Sequence, residues 1–167
     1  MPASLAESLF DLVLGANRVV TVTLTLPHAE RATDVPPMTG EVDDDIAVLL
    51  VEDNLINQLV AIEQLRGLGV RDVTLASDGV AALERAGERS YDVILMDLQM
   101  PRLDGYDATR RLRATAGHNQ HTPVVAMTAH ALDDDRKRCR DAGMEGYLIK
   151  PVERDALRPW LRKRGTR

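Results

Sequence analysis

DVILMDLQMPRLDG, residues 92–105, sets the ionisable Asp97 directly behind a run of aliphatic side chains. Val93 to Met96, with β-branched members and an abrupt polar stop, read as a strand buried on both faces, the habit of parallel sheets. Asp97 then stands at the carboxyl end of that strand, the edge of an open α/β sheet where ligands collect. An aspartate there also serves as a plain strand terminator before the turn at Pro101, so its meaning depends on what else shares the edge.

Outward from this strand, short β-branched runs alternate with helical ones from residue 46 onward. IAVLLV (46–51), DVTLA (72–76), YDVILM (91–96), PVVAMT (123–128) and GYLIK (146–150) read as strands. The stretches 54–69, 78–89, 104–117, 132–143 and 152–164 between and after them read as helices, the first with Asn54 as N-cap. Such βα units with right-handed crossovers predict a doubly wound, five-stranded parallel sheet of the flavodoxin-like order 2-1-3-4-5, covered by helices on both faces. Pro159 falls inside the last helix, where it removes a hydrogen bond and should kink or end it.

The net charge of −5 conceals a boundary. Residues 1–45 sum to −6 and residues 46–167 to +1. PHAERATDVPPMTGEVDDD (27–45) reads as an acidic, proline-containing linker that cannot bury enough surface to order itself. Before it, VVTVTLTL alternates at period two and predicts a half-exposed strand, which needs a partner outside this chain or is a remnant. LAESLFDLVLG has helical propensity, which would allow residues 4–14 to dock or dimerise. The division expected is therefore 1–26 extension, 27–45 linker, 46–164 globular domain and 165–167 tail.

One cysteine, Cys139, excludes an internal disulfide framework and suits a reducing cytoplasm; its charged helix predicts a surface thiol. No apolar run approaches the ~20 residues that cross a bilayer, and a basic secretory start is lacking, so a soluble cytoplasmic chain is expected. The basic end RKRGTR suits a helix C-terminus, and with no recognition helix after it no nucleic acid is expected. His28, His118, His121 and His130 fall in loop-like segments without metal spacing and receive no role.

In the predicted strand order, Glu52 and Asp53, Asp97, Thr128 and Lys150 before Pro151 converge on one edge. Clustered carboxylates repel unless a cation sits among them, and hard oxygen donors suit Mg²⁺. A carboxylate beside Mg²⁺ can attack phosphorus, while a lysine and a hydroxyl stabilise the phosphoryl oxygens.

Four stretches, VLLVEDNLINQLV, DVILMDLQMPRLDGYDATRRLR, TPVVAMTAHA and GMEGYLIKPV, together resemble the receiver domain of response regulators, of the type found in hybrid sensor histidine kinases. The resemblance implies that Asp97 is the phosphoacceptor and that Glu52, Asp53, Asp97 and the main-chain carbonyl of Gln99 hold Mg²⁺. It further implies that Thr128, Ala129 and Lys150 bind the phosphoryl group, that the Tyr147 rotamer follows Thr128, and that Pro151, after a cis peptide, orients Lys150. The donor implied is a histidine kinase or histidine phosphotransfer domain. The switching surface implied is the fourth helix, fifth strand and last helix of the domain, which would also allow self-association. VVTVTLTLPHA loosely resembles the closing strand of a kinase ATPase domain, but the glycine-rich nucleotide segments are missing, so the chain is expected to be a regulatory phosphoacceptor and not an ATP-dependent kinase. A stand-alone regulator with a short extension competes with a piece of a hybrid kinase. A phosphorylation-independent interaction module on the same fold is the alternative, and an aspartate-dependent phosphohydrolase a weaker one, since Gln99 stands where such enzymes place a second acid.

Overall fold

The structure, a computed structural model, describes residues 7–13, 19–25, 42, 45–130 and 133–162. The chain divides into two compact units, residues 1–32 and 33–167. In the first, β1 (Glu7–Val13) pairs antiparallel with β2 (Val19–Thr25), Phe10 opposite Val22 and Leu12 opposite Val20. This corrects two expectations. Residues 7–13 are a strand and not a helix, and the period-two strand finds its partner within the chain. A ladder partner a few residues away overrides the weak helical propensity of ESLFDLV. Most of the expected linker and the end of the basic tail, as well as His28, lie outside the described residues.

The second unit alternates β3 (Ala47–Val51), α1 (Leu55–Gly67), β4 (Asp72–Ala76), α2 (Gly79–Glu88), β5 (Val93–Asp97), α3 (Gly105–Ala114), β6 (Val124–Thr128), α4 (Asp133–Ala142), β7 (Gly146–Ile149) and α5 (Arg154–Leu157). Its sheet is parallel throughout, in the order β4-β3-β5-β6-β7, which is the 2-1-3-4-5 expected. β3 and β5 are buried at every residue because helices cover both faces. Alternate residues serve opposite cores: Leu49, Ile94, Met96 and Ala126 pack with α2, α3 and α4, whereas Val48, Leu50, Leu95 and Met127 pack with α1, α5 and Trp160.

Caps set where the helices start. Asn54 accepts the N–H groups of Ile56 and Asn57 at the head of α1, and Asp104 accepts that of Asp107 at the head of α3. The last helix behaves as Pro159 requires: α5 is a single turn, and Arg158–Trp160 continues as a 3₁₀ turn that buries Trp160 and Leu161. Cys139 departs from expectation. It is buried, 4% exposed, on the inner face of α4, and burial pushes its thiol pKa up. Charge on the outer residues of α4 hid an inner stripe of Cys139 and Ala142. Among the described residues no helix is long and apolar enough to cross a membrane.

Gly105 ties this frame to the end of β5. Its N–H donates to the Leu98 carbonyl at 3.2 Å, and a Cβ there would collide with the Asp97 carbonyl oxygen. Gly105→Ala must therefore push α3 away from the strand end, at a cost of about 1–3 kcal/mol typical of overpacking. Urea denaturation checks this, and an unchanged midpoint would contradict the packing described.

Candidate functional site

The three middle strands of the sheet and the edge strand β7 all contribute groups to the carboxyl end. Glu52 and Asp53 follow β3, Asp97 ends β5, Thr128 ends β6 and Lys150 follows β7. A cavity of about 350 Å³ has all of these on its walls, together with Gln99, Ala129 and His130. It opens beside a second groove of about 460 Å³ that shares Asp53, Gln99 and Thr128 and extends to Tyr106 and Arg138.

The charges are arranged around one ammonium group. Lys150 Nζ lies 2.6 Å from Glu52 Oε2 and 2.7 Å from Asp97 Oδ2. Glu52 is 1% exposed, and its other oxygen accepts the Asn54 N–H and the Asn57 side-chain amide, each at 3.1 Å. Asp97 is 4% exposed; its Oδ1 accepts the Gln99 N–H at 3.1 Å. Asp53 is exposed at the mouth. Carboxylate oxygens of Glu52, Asp53 and Asp97 lie within 4.8 Å of one another, a set of hard donors able to hold a divalent cation.

Backbone contacts fix the surrounding loops. Lys150 N–H donates to the Thr128 carbonyl at 2.8 Å, and Leu98 N–H to the Met127 carbonyl at 3.2 Å. The peptide between Lys150 and Pro151 is cis. Thr128 Oγ1 donates to the His130 carbonyl at 2.7 Å and accepts the His130 N–H at 3.2 Å. Tyr147, on the edge strand β7, is buried at 8% exposure beneath the guanidinium of Arg136, 5.0 Å from the ring centroid. Of the residues singled out in the sequence, Glu52, Asp53, Asp97, Gln99, Thr128, Ala129 and Lys150 share the cavity; Tyr147 and Pro151 do not line it. Asn57, Asp135 and His130 also line it without having been singled out for that role. Asn57 and His130 were legible in principle, one in the first turn after the acid pair and the other two residues past Thr128.

Comparison with known proteins places this geometry. Residues 48–162 match the response regulator receiver domain. Probable histidine kinase 2 of Oryza sativa subsp. indica is 42% identical over 125 residues, 66% of this chain; the chain spans only 12% of that relative's length. The receiver domain of the sensor histidine kinase PA1611 from Pseudomonas aeruginosa, crystallised with a magnesium ion in its active-site cleft, is 49% identical with a TM-score of 0.62 over 68% of this chain and 91% of that one. A chain in the co-crystal of the Saccharomyces cerevisiae histidine phosphotransfer protein Ypd1 with the receiver domain of Ssk1 is 32% identical with a TM-score of 0.62, covering 70% of this chain and 86% of that one. The flavodoxin-like sheet, the acid cluster at its carboxyl edge and a match that takes in nearly all of the second unit lead to one assignment: the chain belongs to the response regulator receiver domain family.

Proposed function

We propose that this chain accepts a phosphoryl group from a phosphohistidine on a kinase or phosphotransfer domain, with Asp97 as the acceptor. The observation that carries the reading is the bridge from Lys150 to both Glu52 and Asp97 beside the open carboxylate of Asp53. An Asp97 oxygen attacks phosphorus, the P–N bond of the donor breaks, and the imidazole leaves with its electron pair and takes up a proton. Lys150 and the Thr128 hydroxyl stabilise the phosphoryl oxygens as charge shifts onto them. Glu52, Asp53, Asp97 and the Gln99 carbonyl would hold Mg²⁺, which when bound supplies countercharge to the transferring phosphoryl group.

The first turn of α1 supports a landing place for the donor. Leu55 and Ile56 are 53% and 43% exposed at the first turn of α1, immediately after the acid pair. Exposed aliphatics at the lip of a charged cleft suit a protein partner, because they add apolar area where the reacting groups meet. Once phosphorylated, Asp97 carries added charge close to Thr128, and rearrangement there reaches α4, β7 and Tyr147. That face is shortened at its far side by the one-turn α5. We place this activity in the cytoplasm and read the chain as regulatory, with autodephosphorylation as its only hydrolytic step.

Label transfer from a phosphorylated histidine phosphotransfer domain tests the proposal: wild type gains label, Asp97→Asn does not, and label on the Asn variant would overturn it. Ile56→Asp slows transfer from that domain about tenfold or more, as loss of an interface anchor does, while leaving phosphorylation by acetyl phosphate within about twofold of wild type. Gln99 stands at the water-exposed rim, so Gln99→Ala changes the autodephosphorylation rate; an unchanged rate counts against it. The charge balance makes a stability prediction of opposite signs. Lys150→Met leaves two buried carboxylates without their cation and lowers stability by about 3–5 kcal/mol, whereas Asp97→Asn removes a repulsive charge and does not lower it. Urea midpoints at pH 7 without Mg²⁺ distinguish the two.

A further inference from the structure

α2 begins against the loop that joins β5 to α3, and two adjacent residues make the contact. Asp78 is 3% exposed; its Oδ1 accepts the N–H groups of Val80 at 2.8 Å and Ala81 at 3.0 Å, and its Oδ2 receives the guanidinium of Arg102 in an ion pair. Gly79 donates its N–H to the Leu103 carbonyl at 3.1 Å, and a Cβ at position 79 would stand 2.6 Å from that oxygen. The helix end and the loop thus meet backbone to backbone.

Arg102 is the one non-glycine residue with positive φ, 66°, among the described residues. Glycine or asparagine is favoured in that left-handed region, so an arginine there sustains a conformational cost. Its ion pair with a buried carboxylate offsets that cost. Burial works to raise the Asp78 pKa, but the Ala81 N–H, Arg102 and the Val80 N–H together outweigh it and hold the carboxyl below its usual value. The loop the pair grips runs from Leu98 to Asp104 and carries Gln99, whose own N–H is bonded to Asp97 Oδ1.

We propose that Asp78 and Arg102 form a clasp between α2 and the β5–α3 loop that sets how well the Gln99 carbonyl can meet a divalent cation. Both are then positioning residues for phosphorylation, remote from the reacting atoms. The inference rests on the reading of Gln99 given under the proposed function.

Mg²⁺ titration of the full chain, followed by calorimetry or amide chemical shifts, tests it on Arg102→Gly, Arg102→Lys, Asp78→Asn and the Gly/Asn double variant. Arg102→Gly and Asp78→Asn each weaken Mg²⁺ binding about threefold to tenfold, at or below the low end for outer-shell partners of metal ligands. Arg102→Lys keeps the charge and stays within about twofold of wild type. The double variant is no weaker than the worse single one, as expected for two halves of one interaction. Arg102→Gly also keeps its melting temperature within about 3 °C of wild type, because relief of the strained φ compensates for the lost pair. Equal Mg²⁺ affinity across the series overturns the clasp alone, as does a loss in Arg102→Gly that tracks a collapse in melting temperature. A wild type that binds no Mg²⁺ overturns the proposed function and the clasp with it.

Discussion

Two carboxylates, Glu52 and Asp97, are buried at the end of a parallel sheet, and one ammonium group, Lys150 Nζ, lies within 2.7 Å of both. Removing a carboxylate from water costs several kcal/mol even after relaxation, and the ammonium group in contact with both acids offsets part of that cost. The arrangement still carries more negative than positive charge, since Asp53 adds a third carboxylate at the mouth. A site of this kind is stabilised by any further cation it receives. That excess, held in place by the fold, gives the edge its chemistry.

The rest of the second unit serves to hold these groups on fixed elements. β3, β5 and β6 are gripped from both faces, so the residues at their ends inherit the rigidity of the sheet. The loops between strand ends and helices are pinned by a small number of backbone bonds: Leu98 to Met127, Gly105 to Leu98, Lys150 to Thr128. α4 is held differently. Its buried side chains are small, and two of its arginines lie over tyrosine rings, Arg136 over Tyr147 and Arg138 over Tyr106. Polar and cation–π contacts rearrange more readily than a packed aliphatic core, so under the proposed function α4 is the element suited to report a change at Thr128.

The strands and their order were legible because a strand covered on both faces leaves an uninterrupted apolar run, and Val93 to Met96 is such a run. The same logic located Glu52, Asp97, Thr128 and Lys150, each being the first polar group where the apolar run of its strand stops. Legibility failed where the deciding contact is distant or one-sided. Glu7–Val13 has some helical propensity, and its pairing with Val19–Thr25 makes it a strand. Cys139 sits in a helix so charged that its narrow inner stripe was masked. Asn57 reaches Glu52 through the orientation of a helix's first turn, and Asp78 reaches Arg102 across two loops; neither relation is written in local spacing.

The most direct test of the central claim is to locate the acyl phosphate itself. After incubation with Mg²⁺ and acetyl phosphate, borohydride reduction converts a phosphorylated aspartate to homoserine, which peptide mass mapping assigns to a position. Homoserine at position 97, dependent on Mg²⁺, is the predicted result. Homoserine at Asp53 or elsewhere, or none at any position, would contradict the account.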